Sequence, residues 1–250
     1  MTNNKTYFVA NWKMYGDLSS LKRLKRVFKL SNNRFYKNAE IVYCPPLTLI
    51  DKFVKITKKY KIQIGAQDCY SIRNYGPYTG NVSSDQIKKL GAKFVILGHS
   101  EKRKDGDTDV IINKKLISAN LSNLKIILCI GESILQKKNN KTFQVIKKQI
   151  KNSLKNIKNF KNIIIAYEPI WAIGSGKTPT NISIEKITSK IKSFMRQNYN
   201  INSIKVLYGG SVNPQNILHL KKISNINGFL IGGASQNQNK FIDIIKKSIN

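Results

Sequence analysis

Eight short apolar or β-branched runs punctuate the 250-residue chain, and their spacing decides most of what it can fold into. They are Tyr7–Trp12, Ile41–Cys44, Ile62–Ala66, Phe94–Leu97, Ile126–Ile130, Ile163–Tyr167, Lys205–Tyr208 and Phe229–Ile231. Between most of them lie stretches with helical period. In "LSSLKRLKRVFKL", Leu18, Leu21, Leu24, Val27 and Phe28 fall on one predicted helical face. The runs are continuous rather than alternating, which predicts strands buried on both faces, as in a parallel sheet. Eight strand-then-helix units in about 250 residues match a (β/α)8 barrel in count and size. A doubly wound sheet uses similar units, but no Pro/Gly/Ser-rich linker divides the chain. The expected architecture is α/β, a single (β/α)8 barrel domain over residues 1–250.

Charge is the abnormal feature. The chain carries 44 Lys+Arg against 13 Asp+Glu, a net charge of +31. Such a balance suits nucleic acid, an anionic membrane or an acidic substrate. The basic residues are nevertheless spread along the chain, as in "KKQIKNSLKNIKNFKN", and accompany abundant Asn. With no localised basic arm, zinc-ligand spacing or RNA-binding signature, the excess reads as compositional drift in an AT-rich genome. No specific nucleic-acid partner is expected. No run approaches the roughly 20 apolar residues of a membrane span. The opening "MTNNKTYFVANWK" enters an apolar strand within six residues, so no secretory signal is expected. Cys44, Cys69 and Cys129 are odd in number and lack CxxC spacing, which reads as reduced thiols in a cytoplasmic protein.

Residues that look functional cluster just after the runs: "ANWKM", "GHSEK", "AYEPIWAIG", "YGGSV" and "IGGAS". In a (β/α)8 barrel the loops after the strands converge on one face, where active sites are built. Glu168 ends the sixth run, and Pro169 restricts it to extended geometry, so its carboxylate is aimed. The following "WAIGSGK" pairs a bulky apolar cover with glycines, the composition of a mobile lid over residues 169–178. His99 follows the fourth run, where a helix N-terminus or a nearby Lys would keep its imidazole neutral and able to polarise a carbonyl. His219, in "NILHLKK", reads as a helix-surface residue. Lys13 lies two residues from Asn11 along a segment expected to be extended, so both would reach the barrel mouth together. "YGGS" and "IGG" end the seventh and eighth runs, where barrels frequently bind phosphate on backbone amides.

In order and spacing, "ANWKM", "LGHSEKR", "CIGE", "AYEPIWAIGSGKT", "LYGGSV" and "IGGAS" resemble triosephosphate isomerases from residue 10 to residue 235. The resemblance implies a TIM barrel that interconverts dihydroxyacetone phosphate and glyceraldehyde 3-phosphate. It makes Glu168 the catalytic base, His99 the neutral electrophile and Lys13 the cation that stabilises an enediolate, assisted by Asn11. Glu101 matches the family's carboxylate after His-Ser. Gly174, Ser211, Gly232 and Gly233 match its phosphate-binding positions, and Cys129 a cysteine that packs near the Glu. The reaction asks for a base, a carbonyl polariser and a grip on phosphate, so no metal or organic cofactor is expected.

The segment 65–84, "GAQDCYSIRNYGPYTGNVSS", lacks helical period after its first residues, and a loop so long has a job in most compact domains. It resembles the family's interdigitating loop, which implies a homodimer. Four positions depart from the family pattern. Ser175 replaces a common Thr in the lid, and Gln236 a usual Leu. Asn81 and Lys102 stand where the family has a Glu and an Arg that pair near the subunit interface. Two rivals remain. An anion-binding protein on a decayed barrel would have lost Asn11, Lys13, His99 or Glu168. Another phosphate-handling barrel, such as an aldolase, would show a Schiff-base Lys at a strand end.

Overall fold

A computed structural model describes residues 5–174 and 176–249; lid position Ser175 and the extreme residues of the expected 1–250 domain lie outside them. Eight parallel strands close into a barrel in sequence order: β1 (Thr6–Asn11), β2 (Ala39–Cys44), β3 (Ile62–Ala66), β4 (Phe94–Leu97), β5 (Lys125–Ile130), β6 (Ile163–Tyr167), β7 (Lys205–Tyr208) and β8 (Gly228–Ile231). Helices cover the outside. Closure is made by β1, which pairs with β2 on one side and β8 on the other, Val9 lying opposite both Val42 and Leu230.

The continuous apolar runs are explained by two separate layers of core. Phe8, Ala10, Ile41, Tyr43, Val95, Leu97, Ile126 and Leu128 point outward beneath the helices. Their alternate neighbours, among them Val9, Val42, Phe94, Ile96, Ile127, Cys129, Ala166 and Leu230, fill the barrel interior. Each strand thus buries both faces, and neither face tolerates polar residues until the strand ends. All three cysteines are buried free thiols. Among the described residues, no helix is long and apolar enough to cross a membrane.

Two expectations are corrected. The helix foreseen from Leu18 to Phe28 is broken into Leu18–Lys22 and Lys25–Asn32. Leu21, Leu24, Val27 and Phe28 are buried, but Leu18 is 62% exposed. The break changes the phase, so a face continuous in sequence turns its first residue to solvent. The extended path from Asn11 to Lys13 is also wrong. β1 stops at Asn11, and Lys13 adopts φ 52°, the left-handed region. A side-chain hydrogen bond explains the turn: Lys13 N–H donates to Asn11 Oδ1 at 3.1 Å, closing the chain on itself.

Candidate active site

At the ends of the strands a cavity of about 330 Å³ opens between the loops that follow β1, β4, β6, β7 and β8. Asn11, Lys13, His99, Glu168, Gly174, Ser211, Gly232 and Gly233 all line it. Glu101 does not, but it reaches in through Lys13, whose Nζ lies 2.6 Å from its Oε1. His219 sits apart on the short surface helix Ile217–Leu220.

Glu168 is 2% exposed at the end of β6, and burial pushes its carboxyl above the usual carboxylate range. The opposing influences are His99, the Cys129 thiol, the Ser100 backbone N–H and Lys13. Such crowding is possible only because two neighbours lack side chains. A Cβ on Gly209 would meet Glu168 Cγ at 2.7 Å, and one on Gly131 would collide with the Glu168 backbone. Those glycines are required by close approach.

His99 is 6% exposed and caps the short helix Ser100–Lys104. Its Nδ1 accepts the Glu101 backbone N–H at 3.2 Å. With Nδ1 accepting there, Nε2 is the ring nitrogen left to donate. Nε2 faces Glu168 Oε1 at 3.5 Å, too far for a tight hydrogen bond. His99 lines the cavity with that nitrogen not tightly bonded to Glu168.

Three positioning groups escaped the sequence. Gln67, just after β3, donates from Nε2 to Lys13 O at 2.7 Å and to Cys44 O at 2.8 Å, bracing the left-handed turn. Arg103 donates from Nε to Gly98 O at 2.8 Å, from Nη2 to Cys129 O at 3.3 Å, and pairs with Asp109 at 2.6 Å. It ties the end of β4 to the end of β5. Glu132 is 1% exposed and accepts from Trp171 Nε1 at 2.9 Å and Tyr167 Oη at 3.3 Å. Only Glu132 left a sequence signal, in "CIGE": like Glu168, it is a carboxylate just past an apolar strand.

The segment after Glu168 is anchored at both ends. Trp171 lies in the turn Ile170–Ala172, held by Glu132, with Lys137 Nζ 3.4 Å from its ring centroid. Thr180 caps the helix Asn181–Tyr199. Between the anchors, Gly174 and Gly176 have φ 67° and 71°, and an added Cβ at either would touch nothing within 4 Å. Below them, Gly233 opens a short turn whose first amides lack helical acceptors, and Ser235 Oγ fixes Gly232 O at 2.6 Å. Asn216 Nδ2 fixes Ser211 O at 2.9 Å on the opposite wall.

Architecture and cavity together define an enzyme of the (β/α)8 barrel class. The sequence profile of the family "Triosephosphate isomerase" matches residues 6–248. The triosephosphate isomerase of Zygosaccharomyces bailii is 39% identical over 246 residues, covering 96% of this chain and 98% of the relative. That of Thermodesulfovibrio yellowstonii is 39% identical over 249 residues, covering 97% and 99%. The crystal structure of triosephosphate isomerase from Bartonella henselae superposes with a TM-score of 0.89 at 33% identity, covering 98% of this chain and all of that one. The chain belongs to the triosephosphate isomerase family, and with it to the isomerases.

Proposed function

We propose that the chain, acting as one barrel domain, interconverts dihydroxyacetone phosphate and D-glyceraldehyde 3-phosphate through an enediolate. The observation that carries this reading is one cavity lined by a buried carboxylate, an imidazole and a lysine beside glycine-rich turns. Glu168 removes a proton from C1 of the ketone substrate. His99 Nε2–H and the Lys13 ammonium face the oxygens on which negative charge collects. After a proton passes between those oxygens, the Glu168 carboxylic acid returns its proton to C2, giving the aldehyde. Asn11 shapes the Lys13 turn, and Glu101 orients its ammonium. The backbone about Gly174, Ser211, Gly232 and Gly233 holds the phosphate, and the lid over residues 169–178 excludes water from an intermediate prone to lose it.

The balance of burial supports Glu168 as base. A desolvated carboxylate is a stronger base than a hydrated one, and a positioned base supplies roughly 10²–10⁴-fold. Oxyanion donors of the His99 kind contribute about 2.7–4 kcal/mol each. In this reading the enzyme works in the cytoplasm as a homodimer, its 65–84 loop entering the partner. Tyr75 and Tyr78 at the loop tip are 67% and 38% exposed, apolar surface that a second copy would cover. Lys102 pairs with Asp105 at 3.8 Å within its own helix end rather than with Asn81. A coupled assay with dihydroxyacetone phosphate tests the activity directly. Glu168→Gln lowers kcat by several orders of magnitude with the fold intact; near-normal turnover in that variant refutes the role.

A further inference from the structure

The opposite end of the barrel holds a larger cavity, about 650 Å³ against 330 Å³ for the candidate active site. Strand beginnings form it: Tyr7 of β1, Lys125 of β5, Ile163 and Ile164 of β6, and Lys205 of β7. The segment 158–162 makes its outer wall. Four lysines line the cavity, Lys125, Lys158, Lys161 and Lys205, and no Asp or Glu does. None of the four makes an ion pair among the described residues. Glu40, whose charge reaches Tyr7, is already paired with Lys5 at 2.5 Å.

Lysines on a convex surface swing apart into water. Here four of them line one cleft with an apolar floor of Ile163, Ile164, Ile204 and Phe160, and low-dielectric concave walls focus their field. Two of them are also held. Lys125 Nζ lies 5.1 Å from the Phe94 ring centroid, and Lys205 Nζ lies 5.6 Å from that of Tyr7. Lys192, outside the cleft lining, adds to the positive charge about Lys205, its ammonium destabilised by burial and then by Lys205.

We propose that this cleft binds a small molecule bearing two or more linked phosphates, either a nucleoside polyphosphate or an inorganic polyphosphate. Four ammonium groups around one cleft carry more charge than one phosphate dianion neutralises, and a linked phosphate chain can span several of them. The apolar floor, with Phe160 only partly buried, offers contact for a base if the ligand carries one. The cleft lies across the barrel from Glu168, so occupancy leaves the isomerase cavity open.

Calorimetric titration of the intact protein with ATP, tripolyphosphate and adenosine, at about 0.15 M salt, tests the site. Two cleft variants, Lys125→Gln/Lys205→Gln and Lys158→Gln/Lys161→Gln at the solvent-exposed outer wall, are compared with Lys147→Gln/Lys151→Gln on the helix Thr142–Ser153. All three lose the same charge. ATP and tripolyphosphate bind the intact protein and the control, while adenosine alone does not. Each cleft variant binds at least about tenfold more weakly, the equivalent of 1.4 kcal/mol, with kcat unchanged. Tighter ATP than tripolyphosphate assigns the site to nucleotides, and equal affinity assigns it to the phosphate chain. Equal weakening in control and cleft variants, no binding at this salt, or displacement by dihydroxyacetone phosphate overturns the proposal.

Discussion

Burial of Glu168 has an energetic consequence that separates its chemistry from its structural role. Its carboxyl titrates above the ordinary value of 4.5 when folded. The unfolded chain therefore ionises first as pH rises, and folding stability falls between the two values. Above the folded value the cost is complete, at about 1.4 kcal/mol for each unit of elevation. Glu168→Gln keeps the shape and removes that cost. The variant should melt above the parent at pH 8 and no higher than the parent near pH 4, measured by calorimetry. An equal difference at both values would show that charge is irrelevant. On the proposed role as base, which works only when ionised, the same elevation should place the acid limb of kcat/KM above 4.5. His99→Gln should act differently, lowering kcat with little change in KM, if its Nε2 donor meets charge that develops during reaction as proposed. A change confined to KM would refute that assignment. Glu168 and His99 were legible in the sequence because each ends an apolar strand with a residue the strand cannot use. Gln67 and Arg103 were not, because they act through backbone carbonyls of neighbouring strands, which no local pattern encodes.

The eight strands were legible to within a residue or two, since every strand is apolar on both faces. Loops were less so. The left-handed turn at Lys13 depends on a hydrogen bond from Asn11 and a brace from Gln67, far apart in sequence. The long loop between β3 and the helix Ser84–Lys89 is rooted by a similar distant contact. Lys115, with its side chain 8% exposed, pairs with Asp68 at 2.7 Å and Asp107 at 2.8 Å. Lys115→Met leaves two carboxylates facing each other beneath the loop. It should cost about 3–5 kcal/mol of stability, read from denaturant unfolding, and an effect under 1 kcal/mol would show that the cluster is hydrated. In the proposed lid, Gly174 and Gly176 take positive φ with open space where a Cβ would sit. Bound phosphoglycolate, which resembles the enediolate, should protect the stretch from Trp171 to Lys177 against proteolysis; equal cleavage with and without it would refute closure there.

At the scale of the whole molecule, a charge of +31 per copy opposes any dimer. Charges are screened beyond about 8 Å at physiological salt but reach roughly 30 Å at 0.01 M. Association of dilute protein should therefore strengthen as salt rises, while the same salt weakens capture of a dianionic substrate. Sedimentation and kcat/KM across one salt series should move in opposite directions, and a dimer indifferent to salt would show that the charge is remote from the interface. Barrel closure bears on how such a chain is made. β1 completes its pairing only with β8, whose first residue follows the start of β1 by more than two hundred positions. At about 5–20 residues per second, the ribosome leaves one edge of β1 open for on the order of tens of seconds. An apolar strand with a free edge invites pairing with any other chain nearby. Nascent copies on one messenger would each carry that edge, and their many lysines would hold them apart until closure.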